Sequence, residues 1–114
     1  MGKDKKEVRK RFREATFGRD GYQCQLCGAK GVELDAHHIT NRKQMPNGGY
    51  VAANGITVCL PCHERVEAAW HRYDSGELPE AALLHPAHLY ELVGSSYAQA
   101  VKASRTELGD DQDR

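Results

Sequence analysis

The sequence predicts an α+β fold in which two short strands and a helix form a small core, with further helices at both ends. Three observations support this prediction. Two strand-like segments, at 32–39 and 55–59, are separated by a polar, turn-rich stretch at 40–53. A helical pattern over 61–73 follows the second strand directly. Two Cys-x-x-Cys pairs, at 24–27 and 59–62, bracket both strands.

The other elements are predicted in chain order. Residues 4–17 have the sparse apolar spacing of a charged helix, which the Gly-Arg-Asp-Gly run at 18–21 ends. A last helix is predicted over 87–105, weakened by Gly-Ser-Ser at 94–96. These elements divide the chain into four parts: a basic N-terminal helix or arm (1–18), the core (19–76), a C-terminal helical extension (77–106) and an acidic tail (107–114) predicted to be disordered.

Length and composition predict one small soluble domain. The chain has 114 residues, 39% of them apolar, so a bound metal would add useful stability to a modest core. No apolar run approaches the roughly 20 residues that a membrane helix needs. The charged N-terminus has no apolar segment behind it, which predicts a cytoplasmic protein without a secretory signal.

The four cysteines predict a structural zinc site. Two pairs with the same spacing, Cys24 with Cys27 and Cys59 with Cys62, can close a tetrahedron of thiolates. Disulfides and unrelated thiols are the alternatives, and a reducing compartment disfavours disulfides.

A second, hydrolytic metal site is predicted from His37, His38, Asn54 and His63. An ordinary histidine titrates near pH 6.5, so His38 is suited to accept a proton from an attacking water. On an extended strand His37 points to the opposite face from His38, so the two serve different roles. The alternatives are a pair of surface histidines, and a His63 that replaces a cysteine of the zinc site.

This combination resembles the HNH endonuclease family, in its zinc-stapled four-cysteine subgroup. The likeness covers roughly 19–72 and depends on four short motifs: Cys24-Gln25-Leu26-Cys27-Gly28, Ala36-His37-His38-Ile39, Asn54-Gly55-Ile56-Thr57 and Cys59-Leu60-Pro61-Cys62-His63. The resemblance implies a ββα-metal core (the His-Me finger) with His38, Asn54 and His63 at the three signature positions. It implies His38 as general base and His37 with His63 as ligands of a catalytic divalent ion. Asn54 would brace the loop that carries the base, although Asn-Gly is also a plain turn signal.

Glu67 departs from the pattern of some relatives, which have a second helix histidine at this position. It follows His63 by four residues and so shares its helix face. A carboxylate ligand favours Mg²⁺ or Mn²⁺, with Zn²⁺ or Ni²⁺ as alternatives. Glu67 is alternatively an exposed helix residue, and Glu64 competes for the ligand role.

The net charge of zero is unevenly distributed. Residues 1–19 contain eight basic and three acidic side chains, which suits a polyanionic partner or a solvated helix face. Arg42, Lys43 and Arg65 are candidate phosphate clamps or solvated charges.

Other conspicuous side chains receive structural predictions. Val66, Trp70 and Tyr73 are predicted to be core rather than base-stacking groups, and His71, His85 and His88 are predicted surface histidines. The last helix would pack on the core or serve a dimer through its apolar positions, which are Leu89, Leu92, Val93, Tyr97 and Val101.

The predicted function is metal-dependent cleavage of DNA phosphodiester bonds, as nicking or double-strand cleavage by a monomer or homodimer. The resemblance implies 5′-phosphate and 3′-hydroxyl products, and a phage packaging or restriction partner is a possible context. The alternatives are a non-catalytic, zinc-stapled DNA-binding module and a nuclease that acts on RNA or structured nucleic acid.

Overall fold

The computed structural model describes residues 5–109 of the chain. Helix α1 (Lys5–Arg19) precedes two antiparallel strands, β1 (Leu34–His38) and β2 (Gly55–Cys59). Helix α2 (Leu60–Asp74) follows β2 without a loop, and α3 (Pro86–Leu92) and α4 (Tyr97–Ser104) complete the order, with a final wider helical turn at Arg105–Gly109. The predicted α+β class, with strand, strand and helix in sequence at its centre, is confirmed.

The sheet lies between α1 and α2. Its register pairs His38 with Gly55 and His37 with Ile56, so adjacent residues face opposite sides. On one side the Phe12 ring of α1 stacks on His38, with ring centroids 4.4 Å apart. On the other side His63 of α2 reaches Asp35 at 3.1 Å. The two adjacent histidines therefore face different helices, as the strand geometry predicted.

Helix α1 is a packed element rather than a detached arm. Phe12, Thr16 and Phe17 are buried. A Cβ on Gly55 would come within 2.8 Å of the Phe12 ring, so glycine at this position permits the close approach of α1 to β2.

The core lies on the α2 side of the sheet. Ile56 and Val58 of β2 pack there with Val66 of α2 and Leu89 of α3. Of the three residues of α2 predicted to be core, Val66 and Trp70 are buried, but Tyr73 is 38% exposed with its ring 5.0 Å from that of Trp70. The prediction for Tyr73 is therefore wrong, because the end of α2 extends beyond the core.

The prediction of one continuous helix over 87–105 is wrong. The helix is interrupted at Gly94, whose φ of +72° lies outside the helical region and suits glycine. Ser96 then caps α4 by accepting a hydrogen bond from Gln99 N at 3.1 Å. The break redirects the chain so that Ala100 and Ser104 become buried, while Leu92 and Tyr97 stay exposed.

The acidic tail was predicted to begin at 107, but the helical structure continues to Gly109 and Leu108 is buried. The rest of the predicted tail, 110–114, lies outside the described residues. Within residues 5–109, no helix combines the length and apolar character that crossing a membrane requires.

Candidate functional site

Four thiols converge beside the sheet, two from a turn near residue 24 and two from the junction of β2 with α2. Cys24 and Cys27 lie on a tight turn in which Cys27 N–H donates to Cys24 Sγ at 3.4 Å. Cys59 ends β2 and Cys62 lies in the first turn of α2. Their Sγ atoms all lie within 4.8 Å of one another. All four cysteines are free, so the disulfide alternative is wrong.

The spacing of the thiols fits zinc. A tetrahedral site with Zn–S bonds of about 2.3 Å places its sulfurs about 3.8 Å apart, and Cys27 Sγ is 3.6 Å from Cys59 Sγ. Burial opposes ionisation of Cys24, yet backbone N–H groups of its neighbours lower its pKa to about 6. Burial and the adjacent thiols raise the pKa of Cys62 to about 12. A cation bound between the four sulfur atoms would allow all four cysteines to be thiolates at the same time.

A second cluster joins the end of β1 to α2. His37 Nδ1 is 3.4 Å and His63 Nε2 is 3.2 Å from Glu67 Oε2. The His37 side chain is buried, and the contact of its Nδ1 atom with Glu67 lacks hydrogen-bond geometry, so this nitrogen has no hydrogen-bond partner among the described residues. A buried nitrogen without a hydrogen-bond partner, beside a second imidazole and a carboxylate, fits a divalent ion. Because His63 belongs to this cluster and four cysteines complete the other, its assignment to the zinc site is wrong.

Glu67 contributes the charge of this cluster. The His37 ring, with a smaller contribution from His63, lowers the pKa of Glu67 to about 2. The carboxylate is therefore ionised at neutral pH, as a metal ligand must be. Glu64 is exposed and lies outside the cluster.

Asp35 is a site residue that sequence reasoning missed. Its Oδ2 lies 3.1 Å from His63 Nδ1, and its Oδ1 lies 3.6 Å from Arg13 Nη1. A proton on His63 Nδ1 that is shared with this carboxylate leaves Nε2 free to act as a ligand. The sequence feature that could have identified Asp35 is its position two residues before His37, which places both side chains on the same face of β1.

His38 lines a cleft of about 400 Å³ together with His37, His63 and Glu67. The Phe12 ring stacks on it, and the Tyr50 ring meets it edge-on at 4.7 Å. Burial, reinforced by the charges of His37 and Arg42, lowers the pKa of His38 to about 4. The ring is consequently uncharged at neutral pH and able to accept a proton.

Asn54 is fully buried and connects the segment after His38 to its surroundings. Its Oδ1 accepts from Thr40 N at 3.0 Å and from Tyr90 OH at 2.7 Å. Its Nδ2 donates to Thr40 O at 3.1 Å and Gly49 O at 3.2 Å. These four bonds tie the loop that follows the base to the turn before β2 and to α3.

The basic residues divide between two surfaces. Arg42 lines the cleft and donates from Nη1 to Tyr50 OH at 2.9 Å, and Lys43 lines an adjoining groove. Arg65 does not belong with them, because two helical residues turn it about 200° away from His63, and its Nη1 lies 3.9 Å from Cys62 Sγ. Arg65 therefore does not share the cleft with the histidines, and its role as a phosphate clamp stays a prediction.

Arg9 and Arg13 of α1 also line the cleft. The sequence indicated a basic N-terminal segment without singling out these two residues. Their four-residue spacing on either side of the buried Phe12 is the signal that could have found them.

The remaining histidines have structural contacts. His85 caps α3 by accepting from Ala87 N at 3.1 Å, and His88 Nδ1 contacts Ala82 O at 2.7 Å. Neither belongs to a candidate metal cluster, and nor does His71.

Comparison with known proteins agrees with this geometry. Residues 24–68, which contain both clusters, match the family model described as HNH endonuclease. The predicted resemblance is confirmed for this segment. Helix α1 and helices α3 and α4 lie outside the HNH segment.

One curated relative is similar over part of the chain. The chain is 34% identical over 47 residues to "Uncharacterized protein YisB" of Bacillus subtilis (strain 168). The match covers 41% of this chain and 43% of YisB, so less than half of that relative is spanned. No solved structure matches the chain significantly.

Proposed function

We propose that this protein is a metal-dependent endonuclease that hydrolyses phosphodiester bonds of DNA. The observation that carries the proposal is that candidate metal ligands and a candidate general base line the same cleft. The His37, His63 and Glu67 cluster lies beside the uncharged His38, and the HNH match covers this segment. In this proposal the four cysteines bind a structural zinc ion.

His37, His63 and Glu67 would hold the catalytic ion, with His63 oriented by Asp35. The carboxylate favours Mg²⁺ or Mn²⁺ as that ion. When bound, a divalent ion would polarise the scissile phosphate and stabilise the leaving 3′ oxygen.

His38 acts as general base and removes a proton from the attacking water. Its lowered pKa keeps the ring unprotonated throughout the neutral range, although the same shift makes it a weaker base. Phe12 and Tyr50 hold the ring in one orientation, and Asn54 holds the loop that follows it. Attack on phosphorus with departure of the 3′ oxygen yields a 5′-phosphate and a 3′-hydroxyl.

Arg9, Arg13 and Arg42 bind the substrate phosphates. All three residues line the cleft, and arginine can grip a phosphate through two parallel hydrogen bonds. Tyr50 accepts a hydrogen bond from Arg42 and so limits the orientations of that side chain.

A supercoiled-plasmid assay tests the proposed function. Zinc-loaded protein is incubated with Mg²⁺, Mn²⁺, Zn²⁺ or Ni²⁺, and with EDTA. We expect nicked or linear DNA with at least one ion, none with EDTA, and none from His63→Ala. DNA that is bound but never cut with any ion would identify a non-catalytic DNA-binding module. Cleavage of a matched RNA strand alone would contradict the DNA assignment.

Replacing Asp35 with asparagine is expected to weaken binding of the catalytic ion. The change removes the charge opposite His63 Nδ1 while keeping the size of the side chain. Loss of such an outer carboxylate typically lowers metal affinity by about 10- to 100-fold. Titration calorimetry with Mn²⁺ on zinc-loaded protein measures the effect. The control is Glu33→Gln, an exposed carboxylate two residues away. Equal Mn²⁺ affinity in Asp35→Asn and wild type would remove Asp35 from the site.

A further inference from the structure

A second cavity continues the cleft. This groove of about 510 Å³ shares Arg9, Arg42 and Tyr50 with the cleft and adds Lys5 and Lys43. We call it the basic groove. Among the described residues, none of those that line it is acidic. Four cations therefore lead away from the metal cluster without an intervening negative charge.

Helix α1 forms one wall of the basic groove. Lys5 and Arg9 line the groove, and Arg13, which lines the cleft, continues the row at the same four-residue spacing along one face of the helix. At 1.5 Å per residue this row is about 12 Å long. That length matches roughly three to four nucleotides at 3.4 Å per phosphate along a strand. Because α1 is packed through Phe12 against Gly55, the row has a fixed direction towards the cleft.

Tyr50 forms the junction between the basic groove and the cleft. Although burial opposes ionisation, hydrogen bonds from Arg42 and Arg9 lower the pKa of the Tyr50 hydroxyl. The turn at Gly48 closes over this ring: its φ is +84°, and a Cβ there would lie 2.8 Å from the ring. Arg42, which donates to Tyr50 OH at 2.9 Å, is thus held before any ligand arrives, and this reduces the entropy lost on binding.

We propose that the basic groove, continued by Arg13 at the cleft, binds the DNA backbone beside the scissile phosphate, over about three to four nucleotides on one side. This inference rests on the proposed function, and it assigns α1, which lies outside the HNH segment, to substrate binding. A row of fixed cations recognises phosphates rather than bases, so binding through the groove is independent of sequence.

The test is the salt dependence of DNA binding, measured by fluorescence anisotropy with a short labelled duplex and no added divalent ion. The variant Lys5→Gln/Lys43→Gln removes two groove cations, both exposed. The slope of log K against log salt is negative, and each lost phosphate contact reduces its magnitude by about 0.9. We therefore expect the magnitude of the slope to decrease by about 1.8, and the affinity near 0.1 M salt to fall by about 60-fold.

The matched control is Lys10→Gln/Lys102→Gln, which makes the same charge change at exposed positions outside the basic groove. It should bind DNA nearly as wild type does. Equal losses in the two double variants would show that net charge alone matters and would overturn the proposal. Unchanged binding by Lys5→Gln/Lys43→Gln would do the same.

Because this assay needs no cleavage, it separates the two proposals. Groove-dependent binding by a protein that never cuts DNA would support the basic groove and contradict the nuclease. Tighter binding of an RNA duplex of the same sequence than of DNA would overturn the assignment of DNA as the ligand.

Discussion

Replacing His38 with alanine is expected to lower the rate of DNA cleavage by at least about 100-fold, the usual contribution of a general base. The reason is that His38 is the uncharged imidazole at the cleft, whereas His37 and His63 face Glu67 in the metal cluster. The measurement is the rate of plasmid nicking with the most effective ion, together with zinc content and the thermal unfolding midpoint.

Two further variants make this result interpretable. Alanine leaves a void between the Phe12 and Tyr50 rings, so His38→Gln, which retains bulk but cannot act as a base, should be equally inactive. His71→Ala removes an exposed histidine outside the cleft and should keep wild-type activity. A folded His38→Ala protein that cuts at the wild-type rate would refute the assignment of the base.

Replacing Cys59 with serine is expected to unfold the protein or greatly lower its thermal midpoint. Cys59 joins the end of β2 to the start of α2, so loss of its thiolate loosens the element that carries His63. Structural zinc binds zinc-finger peptides with about 10–16 kcal/mol of apparent free energy. The whole stability of a typical domain is about 5–15 kcal/mol. The free energy lost with the zinc ion is therefore as large as the whole stability of a typical domain, and the core cannot compensate for it.

Circular dichroism melting and zinc content together measure the effect of Cys59→Ser. The control is Thr57→Ser on the same buried strand, which removes one methyl group and keeps the hydroxyl that donates to Thr16 O. It should lower stability by only about 1 kcal/mol and retain zinc. A Cys59→Ser protein that is zinc-free yet melts like wild type would show that the four thiols do not support the fold.

Local spacing was sufficient to predict the central part of the fold. The strand–strand–helix order and the four-cysteine cluster appear as predicted. His37, His63 and Glu67 also come together. The i, i+4 spacing places Glu67 on the helix face of His63, whereas the pairing of His37 with His63 was implied by the resemblance to HNH endonucleases. Arg65 lies two residues from His63 and is therefore on another side of α2.

Contacts between distant segments were not predictable in this way. Gly94, Ser95 and Ser96 were identified as a weak point, but whether the helix bends or breaks depended on a docking contact. Ser95 Oγ donates to Ala53 O at 2.8 Å, a bond across 42 residues. That contact favours a break, which then buries α4 against the loop that precedes β2.

The sequence by itself determined which side chains can bind metal and accept a proton, since these depend on residue type and on short, regular spacing. Only the tertiary structure decided what surrounds them. It placed Asp35 against His63, Phe12 and Tyr50 around His38, and Arg9 with Arg42 at one end of the basic groove. The physical reason is that these contacts join separate elements, and their geometry follows from how α1 and α2 pack on the two sides of the sheet rather than from any periodic pattern.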